Sequence, residues 1–292
     1  MLAGVAHFPT DYSILPNELG PALEERGYES IWVAEHSHIP LSRKSPWPGG
    51  AELPKMYYDT YDPFVWLSVL SSHTTTLKLA TGICLVAQRD PIHTAKEVAS
   101  LDRLSGGRFL FGVGAGWNED EMNNHGTELH GRFKLMRERV AAMKEIWTQN
   151  EAEFHGDRVD FDPMMSWPKP LSDPHPPVHV GGAFPGGARR AVKWGHGWIP
   201  INRGDASSLA DEVSEMRQMA SDAGRDPADI EVSIYYAPAD PAVLTALAEA
   251  GVDRVCFNLP SVQADEALPA LDAGIAALEV ACLLYTSDAA DE

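Results

Sequence analysis

The sequence predicts one (β/α)8 barrel with insertions after strand 2 and before strand 5. Three observations lead there. Eight short apolar runs alternate with stretches of helical spacing, no composition shift marks a second domain, and no internal repeat or low-complexity tract interrupts the chain. The runs, each read as a buried strand, are residues 4–8, 30–34, 77–86, 108–113, 178–180, 198–201, 231–235 and 254–258. Parallel strands need crossover connections, and eight of them with intervening helices favour a closed barrel over a doubly wound sheet.

The helices follow from spacing. Residues 16–26 form the first and stop at Gly27, a good helix-ending glycine with a strand directly behind it. Phe133, Met136, Val140, Met143 and Trp147 step by 3, 4, 3 and 4, which makes one apolar stripe. Leu268, Leu271, Ile275 and Leu278 repeat the pattern near the end. Two proline-rich stretches, 37–61 and 151–177, are too long to be simple connections, and such loops in a compact domain usually carry function. The first leaves the C-terminal end of a strand, where barrel enzymes place their sites. The second contains EFHGDRVDF, the pattern of a small hairpin outside the barrel. The barrel domain is expected to span residues 1–281. The tail 282–292, CLLYTSDAADE, breaks the last stripe, starts no new element and resembles translated adaptor sequence, so it is expected to be non-native.

Composition narrows the function. With 44% hydrophobic and 22% charged residues the 292-residue chain can bury a large core, which excludes disorder and coiled coil. Lys plus Arg is 23 against 42 Asp plus Glu, a net charge of −19, which repels nucleic acid and anionic membranes. A small molecule is the expected partner. A phosphorylated one remains compatible, because backbone N–H groups at a helix start can hold it locally. Three scattered cysteines, Cys84, Cys256 and Cys282, make neither a disulfide framework nor a zinc site. No signal-peptide pattern and no apolar run of roughly 18 residues is present, so a cytoplasmic protein is expected.

The chemistry concentrates at strand ends. Glu35 and His36 stand where strand 2 opens into the first long loop, a good place for proton transfer by an imidazole. His36 and His38 also form an H-x-H pair, but the ends of strands 6 and 8 (Pro200-Ile201-Asn202 and Phe257-Asn258-Leu259) offer no further Asp or His, so no metal is expected. Gly112, Gly114 and Gly116 leave strand 4 without the spacing of a dinucleotide fingerprint. They allow either a flat ligand against the backbone or tight packing within the barrel. In VGGAFPGGARRA (180–191) a strand ends at Gly181-Gly182 and a helix starts after Gly186-Gly187, presenting N–H groups and Arg189 or Arg190 to an anion. Trp47, Tyr57 and Tyr58 cover the first loop or form a lid.

Four blocks in order, ERGYESIWVAEHSHIP (25–40), the run 79–122, RERVAAMKEIW (137–147) and the run 168–201, resemble the luciferase-like flavin and deazaflavin superfamily, most closely its F420-dependent oxidoreductases. The resemblance implies a TIM barrel with a flavin-like ring at its mouth, and a non-proline cis peptide at Gly82–Ile83 beneath that ring. It implies that His36 contacts the cofactor or transfers a proton beside it, with Glu35 in place of an aspartate found in some relatives. Where some F420 enzymes carry an acid after the strand-4 glycines, this chain has Trp117, followed by Asn118 as a further cofactor contact. Gly181, Gly182, Ala183, Gly186, Gly187 and Arg189 would hold the phosphate; Trp47, Tyr57, Tyr58 and Trp117 would shape the substrate pocket. The implied activity is hydride transfer between F420 and a small organic substrate. An FMN-dependent monooxygenase is the alternative, and a metal-dependent hydrolase or a non-catalytic flavin-binding barrel are remoter ones. A homodimer is common in such proteins.

Overall fold

The computed structural model describes residues 1–50, 52–201 and 206–288; of residues 206, 207 and 284–288 it describes the backbone alone. The strands are β1 (Leu2–His7), β2 (Ser30–Val33), β3 (Lys78–Thr81), β4 (Cys84–Leu85), β5 (Phe109–Gly114), β6 (Ala152–His155), β7 (Asp160–Met164), β8 (Val178–Gly181), β9 (Gly197–Ile199), β10 (Glu231–Ala237) and β11 (Arg254–Leu259). The parallel order β3-β2-β1-β11-β10-β9-β8-β5-β4 closes through a β3–β5 pairing, giving the eight barrel positions foreseen. Strand 3 differs from its expected form. It breaks into β3 and β4 at Gly82–Ile83, where the peptide is cis, and a 3-10 turn (Val86–Gln88) follows. The β6–β7 hairpin stands outside the barrel as an antiparallel pair, within the second long stretch.

The helices are α1 (Pro16–Glu25), α2 (Met56–Asp59), α3 (Pro63–Ser71), α4 (Pro91–Leu104), α5 (Glu119–Asn124), α6 (Arg132–Thr148), α7 (Gly186–Trp194), α8 (Ala206–Asp222), α9 (Pro241–Glu249) and α10 (Ala264–Asp288). One local rule starts three of them. In α3, α4 and α9 an Asp-Pro pair sets the first turn: Asp62, Asp90 and Asp240 accept backbone N–H groups, and the proline occupies a position whose own N–H would have no partner. Gly27, at φ +77°, ends α1 and turns the chain straight into β2.

Along α6, Met136, Val140, Met143 and Trp147 are buried as the stripe requires. Phe133 is not part of that core. Its ring lies between the guanidinium groups of Arg132 and Arg190 at 4.4 and 4.2 Å. The tail also departs from expectation, because residues 282–288 prolong α10. Nothing between Ala281 and Asp288 is a glycine or proline, so no local signal stops the helix. Residues 289–292 lie outside the described region.

Two packed layers make the core. The larger joins the helices to the outside of the sheet; the smaller fills the barrel with Ala6, Trp32, Ala80, Leu110, Ile199, Tyr235 and Cys256. The amino end of the barrel is closed by Arg254, which is fully buried. Its guanidinium donates to both oxygens of Glu29 at 2.8 and 3.0 Å, and to Glu231 and Ser233 at 2.8 Å each. Among the described residues no helix is long and apolar enough to cross a membrane.

Candidate active site

The opposite, carboxyl end of the barrel holds a cavity of about 500 Å3. Its walls are mostly apolar: Phe8, Tyr57, Ile83, Leu85, Trp117 and Ile199 all reach it. His36 enters from the end of β2, buried, with Tyr57 and Trp117 beside its ring at centroid distances of 5.2 and 5.8 Å. Its Nδ1 pairs with Glu121 Oε2 at 2.7 Å.

Glu35 does not partner His36. Its Oε1 is held by the Arg89 guanidinium, and its Oε2 accepts the Leu85 N–H at 2.6 Å. Arg89 also reaches Asp62 and Glu97, so Glu35 belongs to a network that ties the broken third strand to α3 and α4. Both residues line the cavity, but the Glu35 carboxylate turns to Arg89 and the Leu85 N–H rather than to the imidazole. Asn118, unlike Glu35, does not line the cavity. It is the N-cap of α5, its Oδ1 accepting the Glu121 N–H at 3.3 Å. Asn118 therefore fixes the helix that carries Glu121.

Gly82 and Ile83 line the cavity floor. The strand-4 glycines, now on β5, make room for packing. A Cβ on Gly114 would come 1.6 Å from Ile83 Cδ1, and one on Gly112 1.9 Å from Thr81 O. Tyr235, on β10, has its hydroxyl buried beside Gly82 with no partner among the described residues, and burial pushes that hydroxyl's pKa well above the usual phenol range. A bulge between Tyr235 and Ala237 puts Tyr236 at φ +58° and turns it toward the cavity as well. No sequence signal marked either tyrosine, since a bulge in β10 is set by its pairing with β11.

At the far side of the cavity, Gly181, Gly182, Ala183 and Gly186 form the turn into α7. Gly182 needs its glycine for a φ of +128°. Gly187 is packed behind the turn, its N–H donating to Ala183 O at 2.7 Å. Arg189 is exposed and outside the cavity; Arg190, one position on, lines it. Burial, and then the charge of Arg132, lower the Arg190 pKa. Among the described residues its Nε has no partner and it makes no salt bridge. Trp47 and Tyr58 line a second, adjacent cavity with Arg43 and Lys44; Trp47 touches the first only through Tyr57, at 5.9 Å between ring centroids. Among the described residues no three His, Cys, Asp or Glu side chains converge as a metal-binding group, and His38 pairs with Ser37 and Asn124.

The chain matches the luciferase-like monooxygenase family over residues 17–256. It belongs to that family. An uncharacterized protein of Mycobacterium tuberculosis is 38% identical over 271 residues, covering 90% of this chain and 94% of its own. An FMNH2-dependent dimethylsulfone monooxygenase of Pseudomonas putida is 32% identical over 162 residues, 53% of this chain and 44% of that protein. An F420-dependent glucose-6-phosphate dehydrogenase of Kineococcus radiotolerans is 26% identical over 218 residues, 72% and 59% of the two chains. The solved structure of an F420-dependent secondary alcohol dehydrogenase shares the fold, with a TM-score of 0.76 at 18% identity, covering 96% of this chain and 98% of its own. By family this luciferase-like barrel is thus an oxidoreductase. Its mouth joins an imidazole to a glycine turn and an unpaired guanidinium across an apolar floor.

Proposed function

We propose that this luciferase-like barrel is an F420-dependent oxidoreductase that moves a hydride between the cofactor and a small organic substrate. One observation carries the reading: His36, backed by a buried carboxylate, faces an apolar cavity whose other end is a glycine turn beside the unpaired Arg190. The residues fit a flat ring with an anionic tail. Ile83 and Leu85 offer it an apolar bed, while the Gly182–Gly186 turn and Arg190 offer donors for a phosphate.

A bound deazaflavin supplies a carbon that carries hydride, and the protein supplies position, a proton and a dry site. His36 takes up or gives a proton at the atom bonded to the carbon that gains or loses hydride, the oxygen of a C=O group or the second carbon of a C=C group. Tyr57 and Trp117 confine the imidazole and exclude water around it. The expected result for His36→Ala is a loss of turnover on the order of 10²–10⁴ with cofactor binding mostly kept. Near-wild-type turnover removes His36 from the mechanism.

The dimethylsulfone monooxygenase relative supports a second reading, a reduced-FMN monooxygenase. Parallel titrations with F420 and FMN at matched salt separate the two. F420 binding at least about tenfold tighter, a difference of about 1.4 kcal/mol, supports the first. Preference for FMN together with oxygen uptake moves the assignment to the second.

A further inference from the structure

Glu121 is 85 positions away from His36 in sequence and wholly buried against it. Its two oxygens have separate duties. Oε2 meets His36 Nδ1 at 2.7 Å, while Oε1 accepts the Ser37 N–H at 3.0 Å and lies 3.4 Å from the Ser37 hydroxyl. Among the described residues no lysine or arginine forms a salt bridge with it, so His36 is its one ionic partner. The carboxylate cannot drift. Asn118 caps the first turn of α5, and Thr127 just beyond the helix donates its hydroxyl to Ala87 O at 2.7 Å.

We propose that Glu121 is a positioning residue that holds His36 as the tautomer protonated at Nδ1, leaving Nε2 as the atom that exchanges a proton in the cavity. An ionised carboxylate only accepts, so Nδ1 must donate; a neutral ring has one proton, and Nε2 is then bare. When Nε2 takes a proton the ring becomes a cation in an apolar wall, where only the adjoining carboxylate offsets its lost hydration. When Nε2 gives that proton up, the ring returns to the same Nδ1–H form. Glu35 cannot do this work, because Arg89 and the Leu85 N–H occupy it. The inference rests on reading the cavity as a hydride-transfer site, yet the tautomer can be observed with no ligand present.

Glu121→Gln tests it. The Ser37 N–H can only donate, so it retains the amide oxygen at the Oε1 position and turns the amide nitrogen toward His36. That nitrogen donates to Nδ1 and forces the ring's proton onto Nε2. The measurement is the 15N spectrum of histidine-labelled, cofactor-free protein under alkaline conditions, with the His36 signals assigned from their absence in His36→Ala. The wild type should show a protonated Nδ1 and a bare Nε2, and Glu121→Gln should exchange the two. Glu121→Asp, which keeps a carboxylate, should retain the wild-type pattern. A wild-type ring protonated at Nε2, or an unchanged pattern in Glu121→Gln, overturns the proposal. If that variant does not fold, the wild-type and Glu121→Asp spectra decide. With F420 bound, Glu121→Gln should lose turnover by at least about 100-fold while cofactor affinity stays within about twofold. An exchanged tautomer in a protein that shows no turnover with F420 leaves the positioning role standing and removes the hydride reading alone.

Discussion

The two ends of the barrel treat a buried guanidinium in opposite ways. At the amino end, Arg254 is fully buried and its guanidinium is matched to Glu29, Glu231 and Ser233. At the carboxyl end, among the described residues, Arg190 stacks on Phe133 with its Nε unpaired, Tyr235 buries a hydroxyl without a partner, and His36 has one nitrogen committed and one left over. Closed sets of donors and acceptors hold a structure together, and open ones wait for something else. On this comparison, substitutions at the amino end, the floor of the barrel rather than of the cavity, should change stability, and substitutions at the mouth should change binding and turnover.

The largest expected effect lies at the floor. Arg254→Ala removes the cation that Glu29 and Glu231 share, leaving Glu29 with Lys78 and Glu231 without a guanidinium, and should cost about 3–5 kcal/mol. Urea unfolding measures it. A loss below about 1 kcal/mol means that water enters and compensates, and the contrast between the two ends then fails. Burial pushes the Glu29 carboxyl up, but Arg254 and Lys78 outweigh it and hold its pKa down to about 2. The stabilisation from that carboxylate is therefore complete above its ordinary pKa and is lost as pH falls toward 2.

A second effect appears at milder acidity. Burial lowers the pKa of His7 to about 4 and of His179 to about 3, in the latter case helped by Arg254. Both rings stay neutral in the folded barrel, while the unfolded chain takes up their protons below about pH 6.5. The unfolded state then binds more protons, so stability must fall as pH drops from about 6.5 toward 4. By pH 4.5 the loss should be roughly 2 kcal/mol per ring. Unfolding free energy that stays level between pH 7 and 4.5 shows that the rings are not held neutral.

These matched and unmatched groups were unequally legible in the sequence. Strand runs, the glycine that ends α1 and the hairpin in the second long stretch are local patterns, and each stood where spacing put it. The break in the third strand was not local. An unbroken apolar run covers 83–87, and the kink at Gly82–Ile83 entered only through resemblance. Partners across the fold were hidden for a simple reason. Glu35 is next to His36 in the chain but turned away from it, whereas Glu121 comes back to His36 from α5. The Asn118-x-x-Glu121 helix start was readable, but nothing in it says which side chain from β2 it will meet. The glycines of β5 gave no sign of what fills their missing side chains, Ile83 at Gly114 and the Thr81 carbonyl at Gly112.

The smallest effect tests the mouth most directly, because it depends on one step along a helix. Successive residues of a helix differ by about 100° in direction, so of two adjacent arginines only one can face the cavity. Arg190 faces it, at the start of the second turn of α7, near Gly182 and Gly186. Arg189 projects into solvent. If the turn and Arg190 hold an anionic group, Arg190→Ala should weaken binding of F420 or FMN about tenfold, or about 1.4 kcal/mol, with a shallower dependence on salt. Arg189→Ala should stay within about twofold, since an exposed charge outside the cavity acts through screened solvent. Unfolding free energy should be nearly unchanged in both, because Arg190 gives up no salt bridge when truncated and loses only its contact with Phe133. Equal losses of affinity in the two variants would mean that general positive charge near the mouth attracts the ligand, with no selected guanidinium. A loss of stability in Arg190→Ala comparable to that of Arg254→Ala would mean that the mouth is built like the floor, and that its unpaired groups are structural after all.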